Sequence, residues 1–74
     1  MPKDRPKGAL KVLGKRMRCA RLMAELSLFQ CAMMLGFDQW TQLQRYEAGR
    51  AEPRASDLWR LSQITGFNFT QFFE

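Results

Sequence analysis

The chain has 74 residues, 46% of them apolar, and carries a net charge of +5 without a single histidine. That length suits one domain with one small core. No apolar run reaches the roughly 20 residues of a membrane span, and the charged start MPKDRPKGAL has no apolar stretch behind it to make a secretory signal.

Without histidine, most acid–base and triad chemistry is removed. The seven carboxylates are scattered and there is no glycine-rich phosphate loop, so an enzyme is not expected. A zinc site takes about four ligands, which Cys19 and Cys31 cannot supply. No metal or cofactor is therefore expected. Both cysteines fall where apolar helix positions are expected. Buried free thiols in a reducing cytoplasm are preferred to a disulfide.

Charge is unevenly placed. Residues 1–21 hold eight Lys or Arg against one acid, Asp4, while the remainder holds four basic and six acidic residues. Such a block suits nucleic-acid binding, with Lys15 and Arg18 as candidate phosphate contacts. Taken singly, each of these cations is better explained as part of a solvated helix face.

Residues 1–8 mix two prolines and a glycine with charges and read as a flexible basic arm. The domain proper is then 9–74. Leu10, Leu13, Met17 and Ala20 recur at helical spacing, giving a first helix that ends near Ala24. Ser27-Leu28-Phe29-Gln30 is a capping-box pattern opening a second helix, with Cys31, Ala32 and Leu35 inward and Gly36 as its stop. Asp38, or the residue after it, caps a third helix that ends at Gly49, with Leu43 and Tyr46 inward. After the loop Arg50-Ala51-Glu52-Pro53, a fourth helix is expected from about Ser56 to Thr65, burying Leu58, Leu61 and Ile64. Gly66 closes it, and Asn68 caps a last turn or helix over 69–73. The expected fold is all-α, a compact bundle of five short helices.

The second and third helices carry the function-bearing pattern. A helix–turn–helix needs a small residue at the crossing, a turn that tolerates glycine, and a second helix with polar groups outward. Ala32, Gly36 and the segment 39–48 supply these in order. Gln pairs bidentately with adenine, Arg with guanine, and Thr meets a thymine methyl. Singly, each polar residue could simply keep an exposed helix face soluble. Set in this framework and in a basic chain, Gln44 and Arg45 are read as facing the DNA groove.

From about Leu13 to Phe73 the sequence resembles the phage-repressor/Cro type of helix–turn–helix, the XRE family. The resemblance is carried by Arg21, Leu26-Ser27, Ala32, Leu35-Gly36, Leu43, Arg45-Tyr46-Glu47, Gly49, Pro53, Leu58, Leu61 and Gly66. It implies a lambda-repressor-like bundle with its third helix in the major groove of double-stranded DNA. It also implies a structural ion pair between Arg21 and Glu47. Trp40, Thr41, Gln44 and Arg45 match positions of base or groove contact. Arg50 and Arg54 match positions that hold phosphates. The protein implied is a cytoplasmic, nucleoid-associated transcription regulator of bacterial or phage origin.

Three departures bear on these roles. Leu28 stands where the family usually carries Gln, so that contact is lost. Cys31 replaces the usual Leu. The distance from Gly36 to Glu47 is one residue longer than the common pattern, which leaves the register of Gln39 to Gln42 open by one and brings Gln39 into the base-contact set. Trp40 either packs on a sugar, a thymine methyl or a partner, or folds back over Phe37.

Four phenylalanines, Phe67, Phe69, Phe72 and Phe73, exceed what so short a segment hides. Phe67 and Phe69 are assigned to the core, and Phe72 and Phe73 to a homodimer interface. Trp59 is assigned to partial core. The function expected is sequence-specific DNA binding, as a repressor or an activator. One rival is a protein-interaction module, antitoxin-like or polymerase-contacting, with weak DNA binding. Another is non-specific architectural binding led by the basic arm.

Overall fold

A computed structural model describes residues 8–73 of the chain. The arm expected over 1–8 lies outside the described residues except for Gly8. Among the described residues the fold is all-α. It contains α1 (Ala9–Met23), α2 (Leu28–Met34), α3 (Trp40–Glu47), α4 (Ala55–Thr65) and a 3-10 turn over Phe69–Phe73. Four α-helices and a turn thus replace the expected five helices. Phe69–Phe73 closes with the tighter spacing that short segments favour, and Gln71 N–H donates to the Asn68 carbonyl at 2.9 Å. No helix among the described residues is long and apolar enough to cross a membrane.

The local signals explain most boundaries. Gln30 N–H donates to Ser27 Oγ at 3.0 Å and Ser27 N–H donates to Gln30 Oε1 at 2.9 Å, completing the capping box of α2. The helix ends share one device. At the ends of α1, α2 and α3, the backbone N–H two residues past the cap reaches back five residues: Leu26 to the Arg21 carbonyl, Phe37 to Ala32 and Arg50 to Arg45. The residue at the centre of that turn is left-handed. Gly36 and Gly49 take this conformation freely, but at the end of α1 it falls on Glu25, with φ 58°.

α1 packs on α3, α4 and the C-terminal turn, while α2 packs on α3. The core is Met17, Ala20, Cys31, Ala32, Leu35, Leu43, Tyr46, Leu58, Leu61 and Phe72. Gly14 is also buried. A Cβ there would stand 2.5 Å from the Tyr46 carbonyl oxygen and 2.6 Å from that of Glu47, so glycine is what lets α1 cross the end of α3. Arg16 Nη1 donates to the carbonyls of Gln71 and Phe72, each at 3.3 Å, tying the C-terminal turn to α1.

Several expectations are corrected. Phe72 is 1% exposed and its ring lies tilted against that of Phe67, with centroids 4.9 Å apart, so it belongs to the core and is not free for a dimer interface. Phe67 and Phe69 pack against the core as expected. Cys19 is exposed, because it lies on the side of α1 turned away from Met17 and Ala20, while Cys31 is buried. Trp59 is 57% exposed, not part of the core. α4 begins at Ala55 with Arg54 as N-cap, one residue earlier than expected.

Candidate nucleic-acid interface

The register of α3 decides which side chains face out. Gln39 is the N-cap, with extended backbone, and Trp40 is the first helical residue, so the alternative one residue after Asp38 holds. Neither Asp38 nor any other side chain caps this end. From that start, Leu43 and Tyr46 fall on the buried side and Glu47 beside them. Thr41, Gln44, Arg45 and Ala48 share the opposite, exposed side, since residues three and four apart lie on one helix face. Trp40 sits at the edge of this stripe, 43% exposed. Phe37 makes its edge-on ring contact with Tyr46, at 5.8 Å.

The helix is held from behind by polar contacts. Arg21 Nε donates to Glu47 Oε2 at 2.8 Å and Nη2 donates to Oε1 at 3.1 Å. This two-pronged pair is nearly buried, with side chains 9% and 8% exposed. Arg21 Nη1 also donates to the Leu26 carbonyl at 3.0 Å, so one guanidinium fixes both the end of α3 and the turn into α2. The hydrogen bond to Glu47 raises the affinity of this guanidinium for its proton, against the opposing effect of burial. The ion pair expected between Arg21 and Glu47 is therefore present. Its consequence is that the only carboxylate of α3 points inward, leaving the exposed stripe without negative charge.

A second contact joins α3 to α4. Gln42 Nε2 donates to Tyr46 Oη at 3.2 Å, and Tyr46 O–H donates to Asp57 Oδ2 at 3.1 Å. Gln42 is thus engaged in a chain that orients α3.

The arginines divide between depressions. Gln44, Arg45, Ala48 and Arg50 enclose a cleft of about 190 Å³ at the end of α3. Arg54 borders a wider polar depression with Gln39, Gln42 and Asp57 at the start of the helix. These flank the exposed stripe at its two ends. Lys15 and Arg18 instead line a depression on α1 with Cys19, Leu22 and Met23, which shares no lining residue with those of α3. Leu28 packs against the core, as befits an apolar residue at the head of α2.

Two features escaped sequence reasoning. Gly14 carried a signal, since it sits mid-helix between Leu10 and Met17, where glycine costs stability unless a close approach requires it. Arg16 and its bonds to the C-terminal turn had none, because one more cation in a basic block is indistinguishable from its neighbours. No family model matches this chain, and no curated protein matches it.

Proposed function

We propose that this chain is a small DNA-binding protein whose α2 and α3 act as a lambda-repressor-like helix–turn–helix. Within that class the reading is a Cro-like transcription regulator of the XRE type, sequence-specific for double-stranded DNA. It carries no enzymatic step, and it acts on the nucleoid in the cytoplasm of a bacterium or a phage host. The observation that carries this reading is the exposed stripe of α3: Thr41, Gln44 and Arg45, with Gln39 and Trp40 at its head, free of carboxylates. A helix so placed offers donors, acceptors and a methyl to the major-groove edges, which differ for every base pair. Arg50 and Arg54 at its flanks suit the phosphates on either side of the groove. Lys15 and Arg18 would then add only long-range attraction.

A homodimer on a symmetric site accords with an apolar depression between α1 and the C-terminal turn, bordered by Val12, Leu13 and Phe73. Phe73 is 59% exposed there. A second reading, a protein-interaction module, draws on the outward side of α2, where Phe29, Met33 and Met34 are exposed.

Selection of bound duplexes from a random pool tests the first reading. The expected result is a symmetric enriched motif, with affinity that falls linearly on a log scale as salt rises. Absence of any retained duplex at low salt would favour the second reading.

A further inference from the structure

Arg45 and Arg50 stand in an unusual relation. Both residues line one cleft, completed by Gln44 and Ala48, with no acid among its lining residues. The backbone holds them there. Arg50 N–H donates to the Arg45 carbonyl at 3.0 Å, and Gly49 between them is left-handed, at φ 76°. The closing bond of α3 therefore joins the two arginines that line the cleft. Glu52 lines the adjoining depression, which Arg45 also borders.

Two cationic residues lining one cleft without an acid favour an anion there. Guanidinium groups offer forked donors that match a phosphate's oxygens. Position along the helix points the same way. Recognition helices bring their N-terminal residues to the base edges. Arg45 lies about 7.5 Å along the axis from Trp40 at a rise of 1.5 Å per residue, farther from the head of α3 than Thr41 or Gln44, and it alone of the three is tied to a second arginine by the closing bond.

We propose that Arg45 and Arg50 form one clamp on a single backbone phosphate of the duplex, so that Arg45 positions the DNA and base reading falls to Thr41 and Gln44. This rests on the DNA-binding reading above. It goes beyond it by moving Arg45 from the reading set to the holding set.

The test uses the full chain and two duplexes, one with a site selected from a random pool and one scrambled, with affinity measured by fluorescence anisotropy across a salt series. Arg45→Ala and Arg50→Ala are exposed changes, and an unaltered melting temperature confirms that each variant folds. Each is expected to weaken both duplexes alike and hold the ratio of selected to scrambled affinity within about twofold, and the two changes together should lower the salt slope by about 0.9, the release counted for one phosphate. The double variant should lose less than the product of the two single losses, because both side chains hold one phosphate. Replacing that phosphate by an uncharged methylphosphonate should leave Arg45→Ala no weaker than the parent. Gln44→Ala should instead lower the ratio about tenfold or more. The clamp is overturned if Arg45→Ala collapses the ratio and leaves the salt slope unchanged, which is the signature of guanine reading. A parent chain that binds neither duplex at low salt overturns the DNA reading itself, an outcome distinct from a collapsed ratio.

Discussion

Gly14 lies so close to the backbone of Tyr46 that a Cβ on it would stand 2.5 Å from the Tyr46 carbonyl oxygen. In an exposed helix, Gly→Ala stabilises by about 1 kcal/mol. At Gly14 the neighbour is backbone at the end of α3, which cannot swing aside as a side chain would. Gly14→Ala should therefore destabilise, by about 1–3 kcal/mol, as overpacking does. Urea unfolding reads this directly, and a raised midpoint would show that α1 and α3 are not in close contact at this point.

Local chemistry made much of the fold legible. The Ser27 capping box and the stops at Gly36 and Gly49 depend on residues within one helical turn, so adjacent letters suffice. The start of α3 was open by one residue because Asp38 and Gln39 are both polar. Only the packing of Leu43 and Tyr46 chooses between them. Phe72 was misjudged for a related reason: four phenylalanines among seven residues carry no period, and the 3-10 turn alone selects which one enters the core. In the candidate site, Thr41, Gln44 and Arg45 were legible as an outward stripe. The sharing of one cleft by Arg45 and Arg50 was not, since it depends on how the loop closes behind Gly49.

The ion pair of Arg21 with Glu47 should be costly to break by halves. Glu47→Gln leaves an arginine that is only 8% exposed without its counter-charge, which should destabilise by about 3 kcal/mol or more. Replacing both residues with apolar side chains should cost less than either single change, because no lone charge remains. Denaturation of the two single variants and the double variant forms the cycle. A double variant weaker than both singles would mean that the hydrogen bond of Arg21 to Leu26 dominates instead.

Glu25 occupies the left-handed turn that Gly36 and Gly49 fill at the ends of α2 and α3. A side chain there is strained by roughly 1 kcal/mol, offset in part by the extra freedom glycine gives the unfolded chain. Glu25→Gly is thus expected to stabilise by about 0.5 kcal/mol, whereas the same change at an exposed mid-helix site such as Lys15 should destabilise. Paired thermal melts of the two variants check the sign at each position.

Burial pushes the Cys31 thiol up to about 11 from its ordinary 9.0. The thiol's neutral form is favoured in the folded state, so stability is full below the unfolded value and falls as pH rises from about 9 to about 11. The fall has a limiting slope of about 1.4 kcal/mol per pH unit. Cys31→Ala should flatten the unfolding profile across that window even if it lowers stability at neutral pH. At neutral pH, exposed Cys19 should be alkylated without denaturant while Cys31 reacts only on unfolding. Equal labelling of both thiols in the native chain would contradict the burial of Cys31.

Neighbouring phenylalanines should behave as opposites. Phe72 is 1% exposed and packed on Phe67, and its carbonyl accepts from Arg16. Phe72→Ala should cost about 3–5 kcal/mol, enough to unfold much of so small a chain at ambient temperature. Phe73 is 59% exposed and keeps one edge-on ring contact, with Phe69 at 5.4 Å, so Phe73→Ala should cost a monomer only about 0.5–1.5 kcal/mol. If the depression between α1 and the C-terminal turn joins two copies, the parent's melting temperature should rise with protein concentration and that of Phe73→Ala should not. Sedimentation of both proteins over the same concentrations separates a folding effect from an assembly effect, because only assembly shifts the mass without altering helix content. A parent that sediments as a monomer at every concentration would leave Phe73 without a role in dimer formation and would move the source of a symmetric DNA site to the DNA-bound state.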